Sequence, residues 1–296
     1  MTDLPATILA ATDFSETAER AGDFARELSQ RFQAQLHLLH VTVILDDPHI
    51  EEEHRHRLEE LVASGDDARR RDLEGESEGL SGLAVTPHMV RGLAPAEVIV
   101  ETASTLGCEL IVMGTHGRRG LSHLLLGSVA ERVVRTSKVP VFTVRASADI
   151  ELPDVPQILV PHDFSEASAA AVRHAAAWAG ALAAEITLLH VVEPVVYPEF
   201  YSVDVLSDDL MERLVERSER ALRAAADDLL GDVNARIEVE VGRAADTIVD
   251  HAEPKRFDAV VMATRGLSGL EQILLGSVAE SVLRRCKVPL LAVPNR

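Results

Sequence analysis

The stretch Leu-Leu-Gly-Ser-Val-Ala-Glu occupies residues 125–131 and returns unchanged at residues 274–280. Two further motifs recur in the same order: Asp-Phe-Ser-Glu at 13–16 and 163–166, and Leu-Leu-His-Val at 38–41 and 188–191. This spacing is far longer than the ~20–50 residues of solenoid repeats. The sequence therefore predicts a duplicated whole domain, with one copy over residues 1–146 and the other over residues 156–296.

Within each copy, short aliphatic segments alternate with segments whose apolar residues recur at helical spacing. In the first copy this pattern predicts strands over 7–11, 35–41, 83–90, 110–113 and 141–144. It predicts helices over 15–33, 94–106 and 128–137, and an exposed helix within the charged stretch 51–76. Strands that alternate with helices pair in parallel through right-handed crossovers. We therefore predict an α/β protein of two tandem doubly wound, Rossmann-like domains, each with a five-stranded parallel sheet.

Composition and charge narrow the class of protein. Of the 296 residues, 47% are hydrophobic and 26% are charged, which is typical of a globular protein. The formal net charge of −19 disfavours nucleic acid and anionic membrane surfaces as partners. The sequence shows no signal peptide, no apolar run of the ~20 residues that span a bilayer, and few cysteines, namely Cys108 and Cys286. We therefore expect a cytoplasmic protein.

The recurring polar and glycine residues lie where predicted strands end. Asp13 follows the first strand, His40-Val41 ends the second, and Gly114 follows the fourth. Ligands of open α/β sheets bind beyond the carboxyl ends of the strands. The sequence therefore places a candidate binding site at this edge of the sheet.

The segment after the fourth strand has the composition of an anion-binding loop. It carries Gly114 and Gly117, then nine residues, then Gly127-Ser128 directly before a predicted helix. Glycines let backbone N–H groups approach a phosphate, and a helix N-terminus adds N–H groups and partial positive charge. Arg118 and Arg119 supply cations in an otherwise acidic chain. We predict that this loop holds an anion.

Each of these signals also has a purely structural interpretation. Ser128 and Glu131 match a capping box, in which the serine side chain bonds the Glu131 backbone and the glutamate reaches back. A capping serine leaves other N–H groups of the first turn available, so both roles can coexist. Asp13 suits a helix N-cap about as well as ligand contact on residue type alone. Its position at a strand end favours ligand contact.

The pattern Gly-x2-Gly-x9-Gly-Ser after an apolar strand resembles the ATP-binding motif of the universal stress protein family. The likeness includes Asp13 and Val41 and covers nearly the whole chain twice. It implies an adenine nucleotide alpha hydrolase-like fold that binds ATP or ADP, with or without Mg²⁺. Asp13 and Val41 would contact the adenosine, and the glycine motif would surround the ribose and phosphates. The first site that the resemblance implies comprises Asp13, Val41, Met113, Gly114, His116, Gly117, Arg118, Gly127, Ser128 and Val129.

The second copy departs from this motif. Ala263 replaces the first glycine, and Leu267-Ser268 stand where Arg118-Arg119 stood, while Arg265 supplies one positive charge. If the glycine position needs a positive φ, alanine would strain it by ~1 kcal/mol or more. The resemblance therefore implies a weaker second site, which comprises Asp163, Val191, Met262, Ala263, Arg265, Gly266, Gly276, Ser277 and Val278.

Several histidines invite a metal-binding interpretation. His54 and His56 adjoin the acidic residues 51–53, but residues two apart do not share a helix face. A solvated helix explains them better. His40 and His190 occupy equivalent strand ends, where a histidine could contact a ligand, but we favour a structural role. No His/Cys set has zinc-site spacing, so we predict no metal site built from protein side chains.

Three functions fit these residues. The first is a nucleotide-dependent stress-response or regulatory module, in which ATP stabilises a conformation that an unidentified partner protein recognises. The second is a slow ATPase, or an enzyme that phosphorylates itself on a residue such as Ser128. We find no dedicated general base and no Walker-type Lys-Ser/Thr pair, so no catalytic residue is assigned and any hydrolysis should be slow. The third is a stress-induced scaffold without nucleotide, which the complete glycine motif of the first copy disfavours.

The tandem layout also predicts how the copies assemble. Members of the family with a single domain resemble dimers that pair through their last strands. Residues 141–144 and 290–293 would form this pair within one chain, which would make an intramolecular pseudo-dimer and hide two sheet edges. The sequence does not decide whether the whole chain also forms a homodimer.

Overall fold

The computed structural model describes residues 4–43, 52–79, 84–116, 126–148, 150–194, 208–254, 256–266 and 275–295. Within helices α2 and α6, introduced below, side chains are described from residues 65 and 210 onward. The chain divides into two compact units, one formed by Pro5–Ala146 and one that contains Ser147–Arg296. We call them the first and second repeat. In the parts of the chain that the structure covers, no helix combines the length and apolar composition needed to cross a bilayer.

The first repeat alternates strands and helices as the sequence predicts. Its elements are β1 (Thr7–Thr12), α1 (Glu16–Phe32), β2 (Gln35–Val43), α2 (Glu52–Gly79), β3 (Val85–Gly92), α3 (Pro95–Thr105), β4 (Leu110–Gly114), α4 (Ser128–Thr136) and β5 (Val141–Val144). The strands pair in parallel in the order β3-β2-β1-β4-β5.

The second repeat has the same architecture. Its elements are β6 (Gln157–Pro161), α5 (Glu166–Leu182), β7 (Glu185–Val192), α6 (Asp208–Leu229), β8 (Ala235–Val241), α7 (Ala244–His251), β9 (Ala259–Ala263), α8 (Ser277–Arg285) and β10 (Leu290–Val293). Its parallel order is β8-β7-β6-β9-β10. The predicted doubly wound fold is confirmed in both repeats.

Helix α1 shows why these segments fold as they do. Ser15 caps its N-terminus, because the serine side chain accepts a hydrogen bond from the Ala18 backbone at 3.3 Å. Its apolar residues at helical spacing, among them Phe24 and Leu28, are buried against the sheet. The helix ends at Gln33, which adopts a left-handed conformation with φ of 56°. The amphipathic pattern therefore fixes which face of α1 packs on the sheet.

The order of the strands determines where the candidate binding site lies. In each repeat the first strand lies between the second and the fourth strands, so strand order reverses on its two sides. In the first repeat, Thr12 pairs with His40 in β2, and Ala11 pairs with Met113 in β4. The residues that follow these three strands therefore meet at one edge of the sheet.

Two histidines in the first repeat, the buried His37 and the half-buried His88, form a pair between β2 and β3. His37 Nδ1 lies 2.9 Å from His88 Nε2, and only 7% of the His37 surface is exposed. Burial lowers the pKa of both imidazoles from the ordinary value of 6.5, and the charge of His88 lowers the pKa of His37 further. Thr187 stands at the position of His37 in the second repeat.

This pair should destabilise the first repeat in acid. Both pKa values are lower in the folded state, so the unfolded chain binds more protons as pH falls below 6.5. The stability that the neutral pair contributes above pH 6.5 is lost as pH falls through the lowered values. Denaturant unfolding of wild-type protein and His37→Thr from pH 8 to 5 checks this, and we expect a shallower pH dependence in the variant. Parallel curves would contradict it.

Candidate functional site

The turn after the first strand has the same hydrogen bonds in both repeats. Asp13 Oδ1 accepts from the Ser15 backbone N–H at 3.2 Å and from its hydroxyl at 2.6 Å. Asp163 Oδ1 accepts from Ser165 at 3.0 and 2.5 Å in the same way. Each serine caps the following helix. The N-cap interpretation of Asp13 is therefore wrong, since Asp13 instead fixes the turn that presents the capping serine.

The residue inside this turn is strained in both repeats. Phe14 and Phe164 have φ of 61° and 64°, a left-handed conformation that is unusual for a bulky side chain. Their rings contact those of His40 and His190 in tilted arrangements, with centroid separations of 4.4 and 4.5 Å. Strained backbone persists where surrounding contacts fix it, and it is concentrated at functional sites.

The two strand-end histidines tie the first and second strands together. His40 Nδ1 lies 2.9 Å from the Thr12 carbonyl, and His190 Nδ1 lies 2.8 Å from the His162 carbonyl. A carbonyl only accepts, so Nδ1 of each histidine donates. The expected structural role of His40 and His190 is confirmed.

The glycine motif brings a helix N-terminus to the end of β4. The Gly127 backbone N–H donates to the Thr115 carbonyl at 2.7 Å, and the Thr115 N–H donates to Val144 at 2.9 Å. A Cβ on Gly127 would lie 2.9 Å from the Thr115 oxygen, so a side chain does not fit there. Gly117 and Arg118 of the predicted first site lie outside the described residues, as do Arg119, Leu267-Ser268 and the side chains of His54 and His56.

The predicted capping box is wrong. Gly127, at φ −64° and ψ 143°, is the N-cap, and Ser128 is the first residue of α4 and is exposed. Glu131 pairs with Arg135 at 2.5 Å. The helix starts one residue earlier than a Ser128 N-cap implies, because the close approach to Thr115 requires a glycine at the capping position. Ser128 therefore faces solvent from the first turn.

Ala263 does not carry the strain that a positive φ would cause, because Gly114 itself lacks a positive φ. Gly114 is required for another reason, since a Cβ there would lie 2.9 Å from Thr17 Cγ2. At the equivalent of Thr17 the second repeat has Ala167. In the second repeat, the larger residue Ala263 replaces Gly114, and the smaller residue Ala167 replaces its neighbour Thr17. Ala263 is buried in β9.

The second repeat contains a cavity of about 360 Å³ between the ends of β6 and β7 and the start of α8. This volume falls in the range of small-molecule sites, roughly 300–1,000 Å³. All nine residues of the predicted second site contribute to its lining: Asp163, Val191, Met262, Ala263, Arg265, Gly266, Gly276, Ser277 and Val278. The sequence motifs therefore converge on one cavity.

Two glycines shape this cavity. A Cβ on Gly266 would collide with Asp163 Oδ2, so the loop backbone lies directly against the carboxylate of the strand-end turn. Gly276 donates to the Thr264 carbonyl at 2.9 Å and has the same φ and ψ, −64° and 143°, as Gly127. Helix α8 therefore begins at the cavity wall, as α4 begins beside Thr115 in the first repeat.

Eight other residues of the lining were not predicted as site residues: Pro161, His162, Ser168, Leu189, Glu193, Ala244, Ile248 and Ala279. His190, for which the sequence predicts a structural role, also lines the cavity. A signal for Glu193 was present, because it follows Val191 by two residues and side chains alternate along a strand. His162 directly precedes Asp163. Ala244 and Ile248 belong to α7, whose position only the fold reveals.

Two segments of the chain, residues 6–145 and 155–294, match the universal stress protein family model. The chain belongs to the universal stress protein family. A universal stress protein of Methanocaldococcus jannaschii is 36% identical over 140 residues, which cover 46% of this chain and 81% of that one. One from Mycobacterium tuberculosis is 32% identical over 206 residues, which cover 67% of this chain and 65% of that protein.

The tandem arrangement also has a counterpart among solved structures. The crystal structure of a universal stress protein from Archaeoglobus fulgidus covers 98% of both chains with a TM-score of 0.67. At 21% identity this likeness shows a shared fold. The comparisons thus identify this chain as a tandem universal stress protein of two α/β domains.

Proposed function

We propose that this universal stress protein is a regulatory module that binds ATP or ADP in its repeats and presents the bound state to a partner protein. The observation that carries the proposal is the cavity of the second repeat, because all nine residues of the predicted site line it. Its chemistry is divided between an end suited to an anion and an end suited to a nucleoside.

The anion end is formed by the start of α8 together with Arg265 and Gly266. The first N–H groups of a helix lack partners within the helix, and its N-terminus carries partial positive charge. Arg265 adds a cation to the same wall. These groups suit phosphate in a chain whose net charge is −19.

The nucleoside end is formed by β6 and β7. Asp163 and Val191 line it, together with the apolar side chain of Ile248. β7 and β9 lie on opposite sides of β6, so their ends are roughly 10 Å apart at ~4.8 Å per strand. This separation suits a nucleoside on β7 whose phosphates reach the start of α8.

The first repeat supports an equivalent site. Asp13 and Ser15 reproduce the turn, and Gly127 reproduces the start of the helix. In the sequence, Arg118 lies between this turn and Gly127 and adds a positive charge. We propose the same ligand there, with Ser128 and Val129 at the phosphates.

Chromatography of nucleotide released from denatured, purified protein tests the proposal. We expect ATP or ADP from the wild type, and a lower yield from Ser128→Asp or Ser277→Asp. Both serines are exposed first residues of helices, where a carboxylate favours the helix but repels phosphate. The variants should therefore fold.

Ser128→Asn and Ser277→Asn are the matched controls, because asparagine has nearly the size of aspartate without its charge. Both should retain nucleotide. If the wild type releases none and binds none when ATP is titrated in, the proposal fails and the scaffold hypothesis gains support.

A further inference from the structure

The nucleoside end of the second cavity carries a carboxylate that the first repeat lacks. Glu193 lines the cavity just beyond β7, on the side away from Arg265 and α8. Its counterpart in the first repeat is Val43, which is 51% exposed. The two sites therefore differ in chemistry where a base would lie.

Glu193 is held in place by the helix beside it. Its Oε1 accepts from the Ala244 backbone N–H, the first of α7, at 2.6 Å. In the first repeat the corresponding first residue of α3 is Pro95, which has no N–H to donate. The helix N-terminus therefore orients the carboxylate and favours its negative charge in the second repeat alone.

An oriented carboxylate distinguishes purine bases. It only accepts hydrogen bonds, and its two oxygens together offer about four lone-pair positions, so Oε2 and part of Oε1 stay available beside Ala244. Guanine presents two adjacent donors on its pairing edge, N1–H and the 2-amino group. Adenine presents one donor beside the unprotonated N1, whose lone pair a carboxylate repels.

We propose that Glu193 makes the second cavity selective for guanine nucleotides over adenine nucleotides, while the first repeat keeps the ATP site. This inference rests on the proposed function, because it assumes a nucleotide in the second cavity. It changes the base of that nucleotide from adenine to guanine and leaves ATP or ADP as the ligand of the first repeat. It assigns different ligands to the two repeats of one chain.

Titration of GTP and ATP into the full chain tests the inference, with the Ser128→Asp change present throughout so that the first site is closed. We expect GTP to bind more tightly than ATP. In Glu193→Gln the preference should fall by about three- to tenfold, since a charge-assisted hydrogen bond at an exposed carboxylate is lost. The glutamine oxygen can still accept from Ala244, so the variant should fold. Glu253→Gln removes one exposed charge outside the cavity and should leave the preference unchanged.

Three results would overturn the inference about Glu193. ATP binding equal to or tighter than GTP binding would overturn the base assignment and leave the proposed function intact. A GTP preference that Glu193→Gln does not change would also overturn the role of Glu193. Failure of both nucleotides to bind would overturn the inference together with the proposed function of the second repeat.

Discussion

Replacing Gly266 with alanine is expected to weaken nucleotide binding in the second repeat by about tenfold or more, or ~1.4 kcal/mol. The added Cβ would collide with Asp163 Oδ2, so the carboxylate must shift from the position that it has beside Gly266. Asp163 also holds Ser165 through its other oxygen, so this displacement disturbs the turn. Titration of GTP and ATP in the Ser128→Asp background measures the loss.

Gly180→Ala is the control for this change. Gly180 lies in α5 outside the cavity lining, and a Cβ there would meet nothing within 4 Å. We expect nucleotide affinity close to that of the parent. Equal loss in both variants would show that Asp163 is not the sensitive contact, and unchanged affinity in Gly266→Ala would contradict a role for Asp163 in the site.

Gly114→Ala is expected to lower the free energy of unfolding of the first repeat by about 1–3 kcal/mol, the usual cost of overpacking. The new methyl group would lie 2.9 Å from Thr17 Cγ2 and 3.1 Å from the Thr17 backbone. Denaturant unfolding measures the loss, with Ala263→Gly as a comparison in the second repeat.

A second substitution should restore much of this stability. Thr17→Ala removes the methyl group that the new side chain meets, and the double variant then carries the pair found in the second repeat, Ala167 and Ala263. A double-mutant cycle should give a favourable interaction energy between the two changes. Additive losses would contradict the account of why the second repeat tolerates alanine.

The architecture could be predicted from the sequence because it rests on patterns that repeat. Periodicity located α1 and the strands to within a few residues, since one face of each element must be buried. Duplication then supplied an internal check, because Asp13 and Asp163 follow equivalent strands. Because ligands bind at the carboxyl ends of parallel strands, the sequence alone predicts the edge of the sheet where the candidate site lies.

The predictions that were wrong depend on contacts between residues that are distant in the chain. The capping box at Ser128 ignored the Thr115 carbonyl, whose proximity requires a glycine N-cap. The expected strain at Ala263 assumed a backbone cause, whereas the constraint on Gly114 comes from Thr17 in another element. Local patterns do not contain such distances.

Glu193 illustrates the same limit at the site. Its spacing from Val191 is visible in the sequence, but its significance depends on Ala244, 51 residues later, whose N–H fixes the carboxylate. The first repeat has Val43 and Pro95 at these two positions. Differences of this kind between duplicated domains become interpretable once the neighbouring elements are placed.

Hydrogen exchange of individual backbone amides, with and without nucleotide, tests most directly the claim that phosphates bind at the starts of α4 and α8. ATP should slow exchange at residues 128–130, and GTP at residues 277–279, because these first-turn amides have no partner within their helices. The first-turn amides of α3 should be unaffected. Nucleotide that binds, as shown by titration, without slowing exchange at either helix start would contradict the account.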